Sequence, residues 1–211
     1  EIEVIYNFVD VKRFSKKPID AFRQVIAPKG EKIMVHASNF RKVKRVNDVI
    51  KIFAEVRKEL SAKLLMIGDG PERSATEELA KELGVHDDVR FVGKQEQIEE
   101  ILLVSDLFLL PSEYESFGLA AMEAMAARVP VISTNAGGLP EINIDGVTGF
   151  TAAVGDVGAM SEKAIRLLGD ESMLEAFKQN AYNKACEFDL KIIIPYYEQL
   201  YSRFCRMDCG E

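Results

Sequence analysis

The chain has 211 residues, of which 47% are hydrophobic, so it can bury a substantial core; one globular domain is expected, although two are not excluded. Its 34 acidic and 27 basic residues give a net charge of −7, which argues weakly against nucleic acid or an anionic membrane as a partner but leaves room for a local basic pocket. No apolar run approaches the roughly 20 residues that span a bilayer, and no signal peptide is recognised, so the expected location is the cytoplasm.

The start of the chain does not read as the start of a domain. Residues 1–6 alternate and are predicted to form a short strand, and residues 7–15 are predicted to form a turn with a hydrophobic anchor. We therefore expect residues 1–15 to be a linker with a first strand, and a further domain to precede residue 1. The cysteines, Cys186, Cys205 and Cys209, lack metal-site spacing and are expected to be reduced thiols.

Strands and helices are predicted to alternate along the rest of the chain. Helices are expected at about 46–60, between Pro71 and Gly84, at 95–104, from about Gly118, shortly after Glu141, and from 157 to the end. The predicted strands are residues 33–37, 64–67, 89–92, 107–110, 129–133 and 149–151. Such alternation is typical of parallel pairing, so the sequence predicts an α/β fold with a doubly wound parallel sheet and C-terminal helices.

Four features each follow a predicted strand and therefore share the edge of the sheet where ligands bind in such folds. They are the basic loop 38–45, with four positive charges, the GDGP turn 68–71, the loop around Glu115, and the turn at Gly137-Gly138. The basic loop is either solvated surface or a clamp for an anion. The GDGP turn lacks the third glycine of a dinucleotide-binding fingerprint; it is interpreted as turn chemistry, with Pro71 at the first helical position.

Residues 107–141 carry the sharpest functional prediction. A strand ends at Pro111, a polar turn follows, and a helix of small residues is predicted to start near Gly118. The first free N–H groups, around Phe117, Gly118 and Leu119, should attract an anion such as a phosphate, because the helix dipole is positive there and glycine allows close approach. Glu115 in the loop and Glu123 in the helix would flank this anion.

The motifs, taken together, resemble the carboxy-terminal domain of the family-4 retaining glycosyltransferases with the GT-B fold. The match covers nearly the whole chain, in the family's order. The resemblance is carried by residues 7–10 (NFVD), 68–71 (GDGP), 111–112 (PS), 115–118 (ESFG), 123–126 (EAMA), 130–132 (PVI) and 137–141 (GGLPE).

This resemblance implies a Rossmann-like domain that binds a nucleotide-sugar donor and forms the second half of a two-domain enzyme. By resemblance, Glu115 contacts a hydroxyl of the donor sugar and Glu123 holds the ribose hydroxyls, with a plain structural role as the alternative for each. The main-chain N–H groups of residues 117–119 would donate hydrogen bonds to the sugar and the diphosphate. Ser116 and Gly68 complete the expected donor-binding set.

The basic loop departs from the family's pattern. The family places an arginine a few residues before a lysine, and together these neutralise the diphosphate. If Lys44 is that lysine, Asn39 stands in the arginine position, and Arg41 is expected to reach in instead. Arg45 is either a solvent-facing residue or a second clamp. The resemblance therefore predicts Lys44, Arg41 and Glu115 as the catalytic residues.

Residues 38–46 and 113–118 are similar to a narrower group, the L-malate N-acetylglucosaminyltransferases of bacillithiol biosynthesis. This similarity implies a UDP-N-acetylglucosamine donor, L-malate as acceptor, and retention at the anomeric carbon. No Asp-x-Asp motif is present, so we expect that no metal or other cofactor is required. A preceding acceptor-binding domain is the expected partner, and homo-oligomer formation is left open.

Residues 189–211 are expected to form a helix that returns toward the preceding domain, with ordinary core packing as an equal alternative. Two other functions stay open for the chain. One is a family-4 transferase directed at sucrose, glycogen or a lipid, and the other is a noncatalytic nucleotide-binding module. A nicotinamide-dependent dehydrogenase is disfavoured because the G-x-G-x-x-G fingerprint is missing.

Overall fold

The computed structural model describes the main chain of residues 3–207 and the side chains of residues 3–203. Its strands lie within two residues of the six predicted positions. They are β1 (Lys32–Ser38), β2 (Ala62–Gly68), β3 (Val89–Gly93), β4 (Leu107–Leu110), β5 (Val131–Thr134) and β6 (Gly149–Ala152). All pair in parallel in one sheet, in the order β3-β2-β1-β4-β5-β6, which confirms the predicted doubly wound architecture.

Helices cover both faces of this sheet, together with short 3₁₀ turns at Lys42–Lys44 and His86–Asp88. The helices are α1 (Val11–Phe14), α2 (Asp20–Ile26), α3 (Val46–Glu59), α4 (Arg73–Glu82), α5 (Ile98–Leu102), α6 (Leu119–Ala126), α7 (Leu139–Ile142), α8 (Val157–Gly169), α9 (Glu171–Cys186) and α10 (Leu190–Met207).

The alternation of side chains along the strands divides the core into two layers. On one face, Ile33 and Val35 of β1 join a cluster with the apolar residues of α6. On the other face, Met34 packs in a cluster with α3 and α8. Both faces of β1 and β4 are buried, so packing on both sides holds the two central strands, and the starts of the loops that follow them, in place.

The order of the strands determines where a ligand can bind. The chain proceeds outward from β1 to β3, then returns to β4 beside β1 and proceeds to β6 on the other side. The loops that follow β1 and β4 therefore diverge, which leaves a crevice at the carboxyl ends of these strands, the position where open α/β sheets bind ligands.

The prediction of a strand at residues 1–6 is wrong for the described part of that segment. Residues 3–8 have no regular structure, and Val9 forms a single bridge with Asp189. Of the apolar residues in this pattern, Val4 is exposed, whereas the ring of Tyr6 packs on Phe188 at a centroid distance of 5.5 Å. The predicted turn at residues 7–15 contains α1, which is capped by the carboxylate of Asp10.

Three helix boundaries also differ from the prediction. Helix α7 starts at Leu139, inside the predicted turn, and not after Glu141. Helix α4 starts at Arg73, so Pro71 lies in the preceding turn and not at the first helical position. The cause is a contact with the loop after β1, since the Glu72 N–H donates to the carbonyl of Phe40 at 3.0 Å. Helix α5 is shorter than the predicted 95–104 and covers only Ile98–Leu102.

The C-terminal helix α10 packs against the start of the chain. The hydroxyl of Tyr197 donates to the carbonyl of Tyr6 at 3.2 Å, and Arg203 pairs with Glu3 at 2.9 Å. Residues 208–211 of the predicted helix lie outside the described residues, as do the side chains of Cys205 and Cys209, whereas Cys186 is a half-buried free thiol.

Within the described part of the chain, no helix combines the length and the apolar character that a membrane crossing requires.

Candidate functional site

A cavity of about 250 Å³ lies in the crevice between the carboxyl ends of β1 and β4. Its walls are the loop after β1 and the loop after β4, which are joined where the N–H of Glu113 donates to the carbonyl of Val43 at 2.8 Å. The cavity is lined by Ala37, Ser38, Asn39, Lys44, Leu110, Glu115, Gly118, Leu119 and Ala120.

One wall of the cavity is the start of α6. Gly118 is the N-cap residue with φ of 91°, a conformation that favours glycine, and the helix begins at Leu119. The N–H groups of Leu119, Ala120 and Ala121 therefore have no acceptor within the helix. The expected helix start near Gly118 is confirmed, but the free donors lie slightly further along the chain than expected. Phe117 precedes the helix, and its side chain is buried.

Lys44 and Glu115 meet at this cavity. Lys44 Nζ lies 2.6 Å from Glu115 Oε1, and the two side chains are only 21% and 13% exposed. The same Oε1 accepts a hydrogen bond from the hydroxyl of Ser112 at 2.8 Å. The structure thus brings together the cation and the carboxylate that the sequence placed 71 residues apart.

A fully buried histidine of β1 contacts the ends of β1 and β4, just before the two loops begin. His36 Nδ1 lies 2.8 Å from the carbonyl of Leu109, and Nε2 lies 2.8 Å from the hydroxyl of Ser38. Because a carbonyl only accepts, Nδ1 carries the proton, and Nε2 accepts from Ser38. Burial lowers the pKa of His36 to about 4; nearby Lys44 also lowers it, and the hydrogen bond to Leu109 and the charge of Glu115 oppose the shift.

The glycines of the GDGP turn hold the loop after β1. A Cβ on Gly68 would lie 1.8 Å from the carbonyl oxygen of Ser38, and one on Gly70 would lie 2.1 Å from that of Asn39. The absence of side chains at both positions lets the loop that lines the cavity lie directly on the turn. This contact supports the structural interpretation of the turn, and a direct role of Gly68 in donor binding stays a prediction.

The turn at Gly137-Gly138 holds the loop after β4 in the same way. A Cβ on Gly137 would lie 2.1 Å from the carbonyl oxygen of Glu115, and one on Gly138 would lie 2.3 Å from that of Ser116. The Gly138 N–H donates to the carbonyl of Glu115 at 2.8 Å. The turn therefore positions the main chain at Glu115, while the side chain of Ser116 is exposed and does not line the cavity.

The two arginines of the basic loop do not line the cavity. Arg45 donates to Asp48 at 2.6 Å and to Glu113 at 3.1 Å, and these hydrogen bonds raise the pKa of its guanidinium. The geometry gives Arg45 a structural role in joining α3 to the loop after β4. Arg41 is exposed and precedes the 3₁₀ turn at Lys42–Lys44, so its approach to a ligand stays a prediction.

Glu123 lies one turn beyond Leu119 on α6 and is half-buried outside the lining of the cavity. Burial raises the pKa of its carboxyl, and the nearby charge of Glu99 adds to the shift, whereas Arg13 opposes it. Arg13 itself is paired with Glu99 at 2.7 Å. The two predicted carboxylates are therefore separate, Glu115 in the cavity and Glu123 further along the helix.

Several lining and supporting residues were not predicted. Ser38 and Asn39 line the cavity, and Ser112 anchors Glu115. The sequence did contain a signal for Ser38 and Asn39, because both directly follow the predicted strand 33–37 and therefore lie at the edge of the sheet where ligands bind. Ser112 belongs to the family motif at residues 111–112, but its contact with Glu115 was not predicted, because that contact depends on the turn that brings residue 115 back toward residue 112.

Among the residues that the structure describes, no group of three or more His, Cys, Asp or Glu side chains is arranged to hold a metal ion.

Residues 19–184 match the family described as Glycosyl transferases group 1. The N-acetyl-alpha-D-glucosaminyl L-malate synthase of Bacillus anthracis is 42% identical over 210 residues, which cover 99% of this chain and 55% of that relative. The chain spans about half the length of the curated relatives that it matches.

Solved structures of GT-B glycosyltransferases share the fold. Sucrose-phosphate synthase from Thermosynechococcus elongatus matches with a TM-score of 0.88 at 27% identity, over 97% of this chain and 53% of that one. Anabaena Alr3699/HepE, solved in complex with UDP and glucose, matches with a TM-score of 0.85 at 26% identity, over 95% and 57%. The Rossmann-like fold and the resemblance found in the motifs are thus confirmed, and the chain belongs to the group 1 glycosyl transferases.

Proposed function

We propose that the chain is the donor-binding half of a retaining glycosyltransferase that transfers N-acetylglucosamine from its UDP donor to L-malate. The observation that carries the proposal is the meeting of Lys44, Glu115 and the free N–H groups of α6 in one crevice at the β1/β4 edge. The choice of donor and acceptor is supported by the name of the relative that is 42% identical.

The crevice suits the charge changes of glycosyl transfer. As the anomeric bond breaks, the diphosphate gains negative charge and the sugar becomes oxocarbenium-like. Lys44 and the start of α6 stabilise the diphosphate in this proposal, which is supported by the fact that both line the cavity. Glu115 accepts a hydrogen bond from a hydroxyl of the donor sugar, which orients the ring.

The nucleoside extends from the diphosphate along α6 in this proposal. Glu123, one turn beyond the helix start, accepts hydrogen bonds from the ribose hydroxyls, and Phe117 and Ser116 contribute main-chain groups. Arg41, which is exposed in the loop after β1, adds a second positive charge toward the diphosphate.

The test is product analysis of the longer protein that contains this chain, supplied with UDP-N-acetylglucosamine and L-malate. The expected product is N-acetylglucosaminyl malate with retained anomeric configuration. Parallel reactions with UDP-glucose and with other small acceptors serve as controls. If the malate product does not form while another donor and acceptor react, the fold assignment stands and the proposed specificity is rejected.

Two further properties belong to the proposal. The reaction requires no divalent metal, because Lys44 and the helix start neutralise the diphosphate; restoration of activity by a metal after chelation would contradict this. The enzyme acts in the cytoplasm, where its nucleotide-sugar donor would be made, and fractionation of cells that express the longer protein checks the location.

A further inference from the structure

The ion pair of Lys44 and Glu115 raises a question about the proposed function, on which this inference rests. Lys44 is assigned to the diphosphate and Glu115 to the sugar, yet in the structure the two side chains are bonded to each other at 2.6 Å. Both are largely shielded from water. A donor therefore has to separate the two groups before each can make its own contact.

A carboxylate that loses its cation needs another donor, because an uncompensated charge in a shielded site is costly. Ser112 supplies one. Its side chain is fully buried, and its hydroxyl donates to Glu115 Oε1, the same oxygen that Lys44 contacts. The carbonyl of Ser112 is fixed in turn by the buried hydroxyl of Thr134 at 2.7 Å, so the serine is held independently of Lys44.

We propose that Ser112 is a positioning residue that keeps Glu115 directed at the donor sugar after the anionic diphosphate has drawn Lys44 away from it. In the structure Lys44 and Ser112 both donate to Oε1 of Glu115. When a nucleoside diphosphate enters, Lys44 exchanges the carboxylate for a phosphate oxygen. Ser112 then remains as the donor to Glu115, whose second oxygen faces the sugar.

The exchange has a counterintuitive consequence for UDP, which has the ribose and the diphosphate but no sugar to transfer. UDP gains nothing from Glu115 and has to compete with it for Lys44. Replacing Glu115 with glutamine should therefore strengthen UDP binding by about threefold to tenfold, since it removes a competing ion pair. The gain should shrink as salt is added, because screening weakens the pair.

Calorimetric titration of UDP into the 211-residue chain measures this effect. The method needs no tryptophan fluorescence, and the chain contains no tryptophan. Glu113→Gln is the matched control. It removes the same charge from the same loop, but Glu113 is 47% exposed and pairs with Arg45. E113Q should change the dissociation constant for UDP by less than about twofold. Equal strengthening by E115Q and E113Q would assign the effect to net charge and overturn the exchange.

Ser112→Ala tests the positioning role. The readout is the preference for UDP-N-acetylglucosamine over UDP, expressed as the ratio of their dissociation constants. S112A should reduce this preference by about threefold or more, because the sugar contact depends on the orientation of Glu115. It should also weaken UDP binding, because the carboxylate that has lost Lys44 then lacks its second donor. Ser112→Thr, which keeps the hydroxyl, should restore the preference.

Ser105→Ala is the control for the loss of a buried hydroxyl. Ser105 is also buried, but its hydroxyl donates to the carbonyl of Ile101 in α5, away from the cavity. An unchanged preference in S112A, or an equal loss in S105A, would overturn the positioning role. If S112A does not fold by circular dichroism, Ser112→Cys replaces it with a group of similar size that is a weaker donor, and the same loss is expected.

The outcome also separates this inference from the function on which it rests. Lys44→Gln should weaken UDP binding by about tenfold in either case. If neither the unmodified chain nor any variant binds UDP, the proposed function fails. If UDP binds and K44Q weakens it, but E115Q fails to strengthen it, the donor site stands and the exchange alone is rejected.

Discussion

At the scale of single residues, the structure distinguishes side chains that the sequence presents as equivalent. The loop 38–45 has four positive charges, yet only Lys44 lines the cavity. Arg45 is bonded to Asp48 and Glu113, and Lys42 is exposed. Because the direction of a side chain is set by the 3₁₀ turn that contains residues 42–44, charge content alone does not identify the functional cation.

This distinction predicts that the same substitution, lysine to glutamine, has different effects at residues 44 and 42. In the longer protein, Lys44→Gln should lower the turnover number for sugar transfer by about 100-fold to 1000-fold, because it removes a preorganised cation from the developing charge. Lys42→Gln, two residues away on the same turn, should lower it by less than about threefold. Comparable losses in both variants, measured under saturating donor, would show that the loop acts only through its total charge.

His36 should make the stability of the domain depend on pH. Its pKa is about 4 in the folded state and 6.5 in the unfolded state, so the unfolded chain binds the proton more readily. This contribution to stability is complete above pH 6.5 and is lost as pH falls toward 4. By linkage, the free energy of unfolding should fall by about 2 kcal/mol between pH 7 and pH 5 on account of this group.

Urea denaturation at pH 7 and pH 5, followed by circular dichroism, measures the dependence. His36→Gln retains a polar side chain that does not titrate, so it should remove most of the histidine's contribution while other groups continue to titrate. Lys44 and Glu115, the charged groups that face His36, remain in both proteins. A pH dependence that is identical in the two proteins would contradict the assignment of a neutral buried histidine.

At the scale of elements, two glycine turns determine the form of the cavity. The GDGP turn supports the loop after β1, and the Gly137-Gly138 turn supports the loop after β4, in each case through contact with a carbonyl group. Through these contacts the glycines are expected to affect ligand binding by way of the loops, whether or not Gly68 also contacts the donor directly. The physical reason is that a side chain at either turn would push the main chain of the neighbouring loop.

Gly137→Ala tests this arrangement. The new Cβ would overlap the carbonyl oxygen of Glu115, so we expect the loop after β4 to shift and UDP affinity to fall by about tenfold. Gly84→Ala is a matched control, since Gly84 has a similar φ of 69° but no atom within 4 Å of the added methyl group. It should cost about 1 kcal/mol of stability and leave UDP affinity unchanged.

At the scale of the whole molecule, the chain corresponds to about half of its relatives. Its cavity is open at the carboxyl edge of the sheet, and α10 packs back against the N-terminal segment, with Tyr197 bonded to Tyr6. The proposed acceptor site would be completed by a preceding domain, since the residues assigned above all serve the donor.

We therefore expect the 211-residue chain to bind UDP but to transfer N-acetylglucosamine at less than about 1% of the rate of the longer protein, because the reactants are not held together. Calorimetry measures the first property, and quantification of N-acetylglucosaminyl malate measures the second. Efficient turnover by the chain alone would contradict the need for a second domain.

The sequence by itself determined the six strands, the alternation of helices with them from residue 46 onward, the helix start near Gly118 and, through the motifs, the family. These features depend on local periodicity and on residues close together in the chain. It did not determine which cation reaches the cavity, the pairing of Lys44 with Glu115, or the roles of His36 and Ser112. Only the tertiary structure decided these, because they depend on β1 and β4 lying side by side, which brings together loops that are about 70 residues apart in the chain.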